Sequence, residues 1–258
     1  MAQNIWLINI DVTGLCNKTC NYCPRSAGYP NINEHMPYEM FDRFIDYLDT
    51  IGYDKWICWS GRGENSLHPR AEEMIERLHT PWRKYKTRIL TNGYKFNQRK
   101  HWFALFDKAV INTYESEEEM ERRKALLPAK THRYWDQTVA PDQWEVTPIQ
   151  VQNRNDIYNN IIATDKALSE PCILPMTKAW IHWNGDISLC SNDWTDTNVF
   201  GNIDEDDFLD VWNNHPVLNE MRKELLKGNR YKYTVCSICN RTHNELDQKR
   251  YNKWISKN

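Results

Sequence analysis

Seven of the eight cysteines fall into two groups whose local spacings suit metal ligation. Cys16, Cys20 and Cys23 form a CxxxCxxC run directly after the apolar stretch Ile5-Val12. Three thiolates hold three irons of a 4Fe-4S cluster and leave the fourth iron open to a small molecule. A structural zinc there would need a fourth ligand close by, and the nearest histidine is His35. The second group is Cys172, Cys190, Cys236 and Cys239. Four thiolates saturate the four irons of a cluster, which leaves electron transfer or structural support as its role; a structural zinc on the same four is chemically acceptable. The remaining cysteine, Cys58, lies inside Trp56-Ile57-Cys58-Trp59, where a thiol behaves as a small buried hydrophobe. Ile5-Val12 is too short and lacks the basic start of an export signal, so metal ligation is favoured over disulfides and a cytoplasmic location is expected.

These cysteines need strands and helices to position them. Apolar runs at Ile5-Val12, Trp56-Trp59, Arg88-Leu90, Ala109-Ile111 and Ile149-Val151 read as short buried strands. Helical faces lie between them: Phe41, Phe44, Ile45 and Leu48, closed by Gly52; Ala71, Met74, Ile75 and Leu78; and Trp102, Phe103 and Phe106. Ser116 and Glu119 form a capping box that opens a charged, solvated helix. The alternation predicts a parallel sheet, curling into a barrel or left open, with ligands at the C-terminal ends of its strands. Beyond about Ala163 the pattern becomes an antiparallel hairpin, Ala179-Trp183 and Asp186-Cys190, turning at Asn184-Gly185. Helices around Phe208-Trp212 and from Val217 to Gly228 follow. The expected organisation is α/β: a partial-barrel domain over residues 1–165 and a hairpin-plus-helix auxiliary iron-sulfur domain over 166–258.

The order of these motifs resembles the radical S-adenosylmethionine (SAM) superfamily. Tyr22 occupies the aromatic position that in the family packs on the adenine of SAM. Ser60-Gly61-Arg62-Gly63-Glu64 resembles the family's glycine-glutamate segment, which implies that Gly61 and Gly63 allow close backbone approach and that Glu64 receives the ammonium of SAM. The usual proline after that glutamate is replaced by Asn65. Thr91 and Asn92 with Gly93 end the third strand as in many relatives, and Asn112-Thr113 ends the fourth, where the family faces the ribose. The spacing Cys172-x12-Gly185-x4-Cys190 is similar to the first half of the SPASM accessory motif. With only Cys236 and Cys239 to follow, it resembles the truncated, single-cluster twitch form. Two 4Fe-4S clusters and SAM are the implied cofactors.

Over its whole length the chain is similar to radical SAM enzymes that dehydrogenate an aminocyclitol, a group in which an Asn-Arg pair after the fifth strand faces the substrate. Asn153-Arg154 holds that position here. The resemblance implies a small hydroxylated substrate, a two-electron oxidation with the second cluster as acceptor, and an external one-electron reductant such as flavodoxin or ferredoxin. The chain departs from the group in its twelve tryptophans and in the polar stretch Tyr114-Trp144. Radical modification of a peptide is the alternative, weakened by the fifteen residues that precede Cys16, too few for a peptide-recognition domain. An electron carrier or zinc-stabilised binding module would have no use for Gly61, Gly63 and Glu64. The 33 basic and 35 acidic residues give a net charge of -2, with no footprint for nucleic acid or an anionic membrane, and no apolar run is long enough for a membrane span. His68, His79, His101 and His182 form no spacing that yields an acid-base assignment.

Overall fold

A computed structural model of the chain describes residues 5–20, 23–111, 118, 122, 125, 168–239, 241, 243, 248–249 and 251–252. Seven strands form one sheet: β1 (Leu7–Ile10), β2 (Trp56–Trp59), β3 (Lys86–Thr91), β4 (Lys108–Ile111), β5 (Lys178–Ile181), β6 (Asp186–Ser188) and β7 (Val199–Asn202). Their order is β4-β3-β2-β1-β5-β6-β7. β1 to β4 are mutually parallel, as strands joined by crossover helices must be, and β5 runs parallel to β1 on its other side. β6 and β7 follow antiparallel. The described strands form an open sheet without closure.

The expected hairpin is present, and Gly185 takes the left-handed φ of 89° that its turn demands. It is not a separate appendage. β5 hydrogen-bonds to β1 with Leu7 opposite Lys178 and Asn9 opposite Trp180, so the sheet runs straight into the region of the second cysteine group.

α1 (Tyr38–Thr50) and α2 (Ala71–Leu78) cover one face of the sheet. Phe41, Phe44, Ile45 and Leu48 of α1 and Met74, Ile75 and Leu78 of α2 are all buried with Ile8, Ile10, Ile57 and Ile89 from the strands. Each such side chain contributes roughly 1.5–3 kcal/mol by leaving water. Gly52, at φ 66°, ends α1 as expected. Arg77 of α2 ties the two helices together through Asp42, Asp46 and Asp49 of α1.

α3 (Phe96–Phe103) begins earlier than the aromatic spacing predicts. Phe106 is fully buried but lies past its end, because the chain is already turning towards β4. α4 (Phe208–Asn214) is capped by Asp207, whose carboxylate accepts from Asp210 N at 2.7 Å. α5 (Pro216–Leu226) starts with proline at its first position. The predicted strand Ile149-Val151 and the capping box at Ser116 and Glu119 lie outside the described residues. Among the described residues no helix is long and apolar enough to cross a membrane.

Candidate active site

β1 delivers the chain into the Cys16–Cys23 loop, and Arg25 holds that loop in shape. Its guanidinium is buried and donates to Gly14 O at 2.6 Å, Pro30 O and Asn31 Oδ1 at 2.9 Å, and Arg62 O at 3.2 Å. Asn31 in turn accepts from Cys16 N and donates to Cys16 O. Cys16, Cys20 and Cys23 are partly exposed and in no disulfide, with Cys23 N donating to Cys20 O at 2.8 Å. Burial raises the Cys16 thiol's affinity for its proton, and the Cys23 thiol and Glu64 add to it, while Arg25 works against them. Three accessible thiols on one braced loop fit a cluster with an open iron. His35 is engaged elsewhere, with Nδ1 2.8 Å from Thr13 Oγ1.

The glycines beside this loop are also held by packing. A Cβ on Gly61 would lie 1.9 Å from the Asp11 carboxylate, and one on Gly63 would lie 2.0 Å from Thr13 O. Both positions are therefore closed to a side chain by the chain that leads from β1 into the cysteine loop. Glu64 is buried and accepts four hydrogen bonds: Oε1 from Ser66 N, Ser66 Oγ and Thr91 Oγ1, and Oε2 from Asn92 N at 2.7 Å. Oε2 keeps an acceptor position for one further donor, which fits a single ammonium. Asn92 Nδ2 lies 3.9 Å from Cys16 Sγ, so Glu64, Thr91 and Asn92 are gathered against the first cysteine. Tyr22, Asn112, Thr113, Asn153 and Arg154 lie outside the described residues.

Arg62 was within the predicted segment but had no predicted role. It is 6% exposed and forks onto Asp196, with Nη2 to Oδ1 at 2.6 Å and Nη1 to Oδ2 at 2.8 Å. It also contacts Asp193 O, Tyr29 Oη and His182 Nε2. Burial opposes its charge, but Asp196 outweighs burial and raises its pKa, while burial of Asp196 is outweighed by Arg62 and that carboxyl is held low. The loop after β2 is thereby latched to the loop after β6. A glycine-flanked arginine that repeats no family signature gave little sequence signal; Arg25, immediately after Cys23-Pro24, gave even less.

Cys172, Cys190, Cys236 and Cys239 line a single cavity whose other walls include Leu174, Leu189, Leu225 and Val235. Burial pushes the Cys190 thiol up to about 12, and Cys239 and Cys172 add to it; Cys236 is raised further by burial and by the other three. Such a set of crowded donors is relieved by a bound cationic centre. Asn192 serves two of them, donating from its backbone N to Cys190 Sγ at 3.4 Å and from Nδ2 to Cys239 Sγ at 3.3 Å. Among the described residues no three His, Cys, Asp or Glu side chains converge tightly enough for one metal ion. The four thiols instead surround a space.

A larger cavity, of about 310 Å³, opens next to it on the sheet face opposite α1 and α2. Leu7 and Asn9 of β1, Leu90 of β3 and Lys178 and Trp180 of β5 form its floor. Ser60, Gly61 and Arg62 bound it towards the Cys16 loop, and Leu174, Cys190, Asn192 and Arg241 bound it towards the four-cysteine cavity.

The profile of the radical SAM superfamily matches residues 10–115, and that of a SPASM iron-sulfur cluster-binding domain matches residues 172–240. The chain thus carries a radical SAM domain and a SPASM domain: it is a radical SAM enzyme with SAM and iron-sulfur clusters as cofactors. Among individual proteins it is 25% identical to an S-adenosyl-L-methionine-dependent 2-deoxy-scyllo-inosamine dehydrogenase of Niallia circulans, over 91% of this chain and 92% of that one. Its fold is similar to that of BtrN in complex with AdoMet and 2-DOIA, with a TM-score of 0.77, 23% identity, and 94% and 97% of the two chains covered. It is also similar to SuiB of Streptococcus suis bound to the precursor peptide SuiA, with a TM-score of 0.51, 15% identity, and 90% and 76% covered.

Proposed function

We propose that the chain dehydrogenates a small hydroxylated molecule, a cyclitol or sugar, in a two-electron oxidation within the 310 Å³ cavity. The observation that carries this reading is the shared wall: Leu174, Cys190, Asn192 and Arg241 face both that cavity and the four-cysteine cavity. When bound, SAM and the cluster on Cys16, Cys20 and Cys23 supply a 5'-deoxyadenosyl radical that abstracts hydrogen, and a 4Fe-4S cluster on the other four cysteines supplies an electron acceptor. The chain's own residues do the remaining work. Leu7, Leu90 and Trp180 exclude water, Asn9 and Ser60 offer hydrogen bonds to hydroxyls, and Asn192 donates to two cluster-side sulfurs. Oxidising an alcohol to a carbonyl removes a hydrogen atom from the carbon, a proton from its hydroxyl and one further electron, so an acceptor beside the substrate is required.

The volume lies at the small end of ligand pockets, which supports a small molecule over a peptide. The dehydrogenase named among the relatives, matched nearly end to end, supports the same reaction class. In this reading residues 1–165 serve SAM, residues 166–258 serve the acceptor, and Tyr22, Asn112 and Thr113 complete the SAM site while Asn153 and Arg154 face the substrate. Flavodoxin or ferredoxin is the proposed reductant. Eight cysteines outside any disulfide suit a reducing cytoplasm.

Anaerobic reconstitution tests the reading. Cys16→Ala is expected to abolish 5'-deoxyadenosine formation, while joint Cys236→Ala and Cys239→Ala substitution retains SAM cleavage, loses oxidised product and binds about half the iron. Undiminished product in a variant shown to lack the second cluster refutes it.

A further inference from the structure

Three arginines are buried among the described residues: Arg25, Arg62 and Arg230. Arg25 braces the Cys16 loop, and Arg62 is matched by Asp196. Arg230, 1% exposed, meets no carboxylate among the described residues. Its Nε donates to Glu170 O at 2.9 Å, its Nη1 to Arg241 O at 2.8 Å and its Nη2 to Pro171 O at 3.3 Å, all of them neutral carbonyls. A guanidinium does not give up its charge in a protein. A buried cation that faces only carbonyls is costly unless an anion lies close to it.

Its surroundings point to that anion. Arg230 lines the four-cysteine cavity. It opens the short turn Arg230–Lys232 that precedes Cys236, and its carbonyl partners lie just before Cys172 and just after Cys239, so the guanidinium ties the backbone at both ends of the cysteine set. It also acts on the sulfurs. Burial pushes the Cys172 thiol up and Arg230 pulls it down; Cys236, raised by burial and by the other three cysteines, is pulled down by Arg230 as well. Glu224, the buried acid of α5, is committed to Lys227, Lys232 and Asn229.

We propose that Arg230 is the counter-charge of the second iron-sulfur cluster and raises its reduction potential, fitting that cluster to take an electron from the substrate radical. Four thiolates around a 4Fe-4S core carry net negative charge, and an added electron increases it, so a fixed cation favours the reduced state. Leu174, Leu189, Leu225 and Val235 keep water from screening that attraction. The proposal rests on the reading of the four-cysteine cavity as the acceptor site and deepens it.

The test is an anaerobic redox titration followed by electron paramagnetic resonance, on full-length protein with Cys16, Cys20 and Cys23 all replaced by alanine so that the second cluster alone gives the signal. Arg230→Met is expected to shift the reduced-to-oxidised ratio at a given potential about tenfold towards oxidised, which for one electron is a fall of about 59 mV. Arg230→Lys keeps the charge but cannot hold three carbonyls, and it is expected to recover most of that shift. Arg230→Gln is the second neutral variant should methionine prevent folding. A shift below about threefold in a neutral variant that binds the cluster overturns the inference. So does an Arg230→Lys potential as low as that of the neutral variant, and so does loss of the cluster from both neutral variants, which assigns Arg230 to bracing alone. Iron and sulfide content of the parent keeps the two readings apart: zinc in place of the cluster refutes the acceptor site itself, whereas an intact cluster with an unmoved potential refutes only the role of Arg230.

Discussion

Replacing Arg62 with methionine keeps an unbranched side chain of similar reach and deletes the fork that latches residues 193–196 to the loop after β2. Breaking a fully buried ion pair costs about 3–5 kcal/mol, but Asp196 is 42% exposed and recovers water once released, so the pair itself accounts for about 1 kcal/mol. The Asp193 carbonyl and Tyr29 hydroxyl lose a charged donor, at roughly 1 kcal/mol each. The total is about 3 kcal/mol. For a chain of this size each kcal/mol lowers Tm by about 2–4 °C, so a fall of about 6–12 °C is expected. Circular dichroism melts of the cluster-loaded protein under anaerobic conditions measure it. Arg70→Met is the control, since Arg70 pairs with Glu39 and Glu73 on the surface, where solvent screens both pairs and leaves little stability to lose. Arg62→Lys is expected to recover less than half of the loss, because an ammonium cannot span both Asp196 oxygens. A melt of Arg62→Met no lower than that of Arg70→Met refutes the latch.

Gly63→Ala forces a Cβ against Thr13 O, a backbone atom with no easy retreat; a loss of about 1–3 kcal/mol and weaker SAM binding are expected, and a variant as stable as the parent contradicts the packing argument. Burial lowers the pKa of His79 from 6.5 to about 4, despite the Ile75 carbonyl beside its Nδ1. The unfolded chain then binds this proton first as pH falls, so stability is full above pH 6.5 and declines by about 3 kcal/mol towards pH 4; His79→Gln should flatten that part of a denaturation-against-pH curve. Asn192→Leu removes an N–H donor from Cys239 Sγ, and a redox titration followed by electron paramagnetic resonance should find the second cluster's potential more negative. An unchanged potential would assign Asn192 to packing alone.

The strand cores were legible because buried parallel strands read as short apolar runs, and β1 to β4 all lie within or overlap the predicted ones. Helix boundaries were clear where a glycine or proline ended or opened the helix, as at Gly52 and Pro216, and less so at α3, where buried aromatics continue past the helix. The cysteine sets were legible through spacing alone. Gly61, Gly63 and Glu64 were found through resemblance, yet the partners that explain the glycines, Asp11 and Thr13, lie about fifty residues away in the chain and have no local signature. Arg25, Arg62 and Asp196 were missed for the same reason: a guanidinium's partners are set by how loops meet, and no periodicity encodes that. The adjacency of β5 and β1 is likewise a long-range pairing that the hairpin's own turn residues do not announce.

That adjacency separates two things which evolution would otherwise have to change together. The Cys16 loop leaves the sheet from β1, and the hairpin carrying Cys190 begins on β5, its immediate neighbour, although Ile181 and its register partner Ile10 are 171 positions apart in sequence, by way of β2, β3 and β4.

 Insertions, deletions and substitutions between β4 and Cys172 can therefore accumulate without altering the spacing of the Cys16 and Cys190 loops, because that spacing is set by the β1-β5 ladder of backbone hydrogen bonds. A lineage can exchange the molecule it oxidises while inheriting its wiring unchanged.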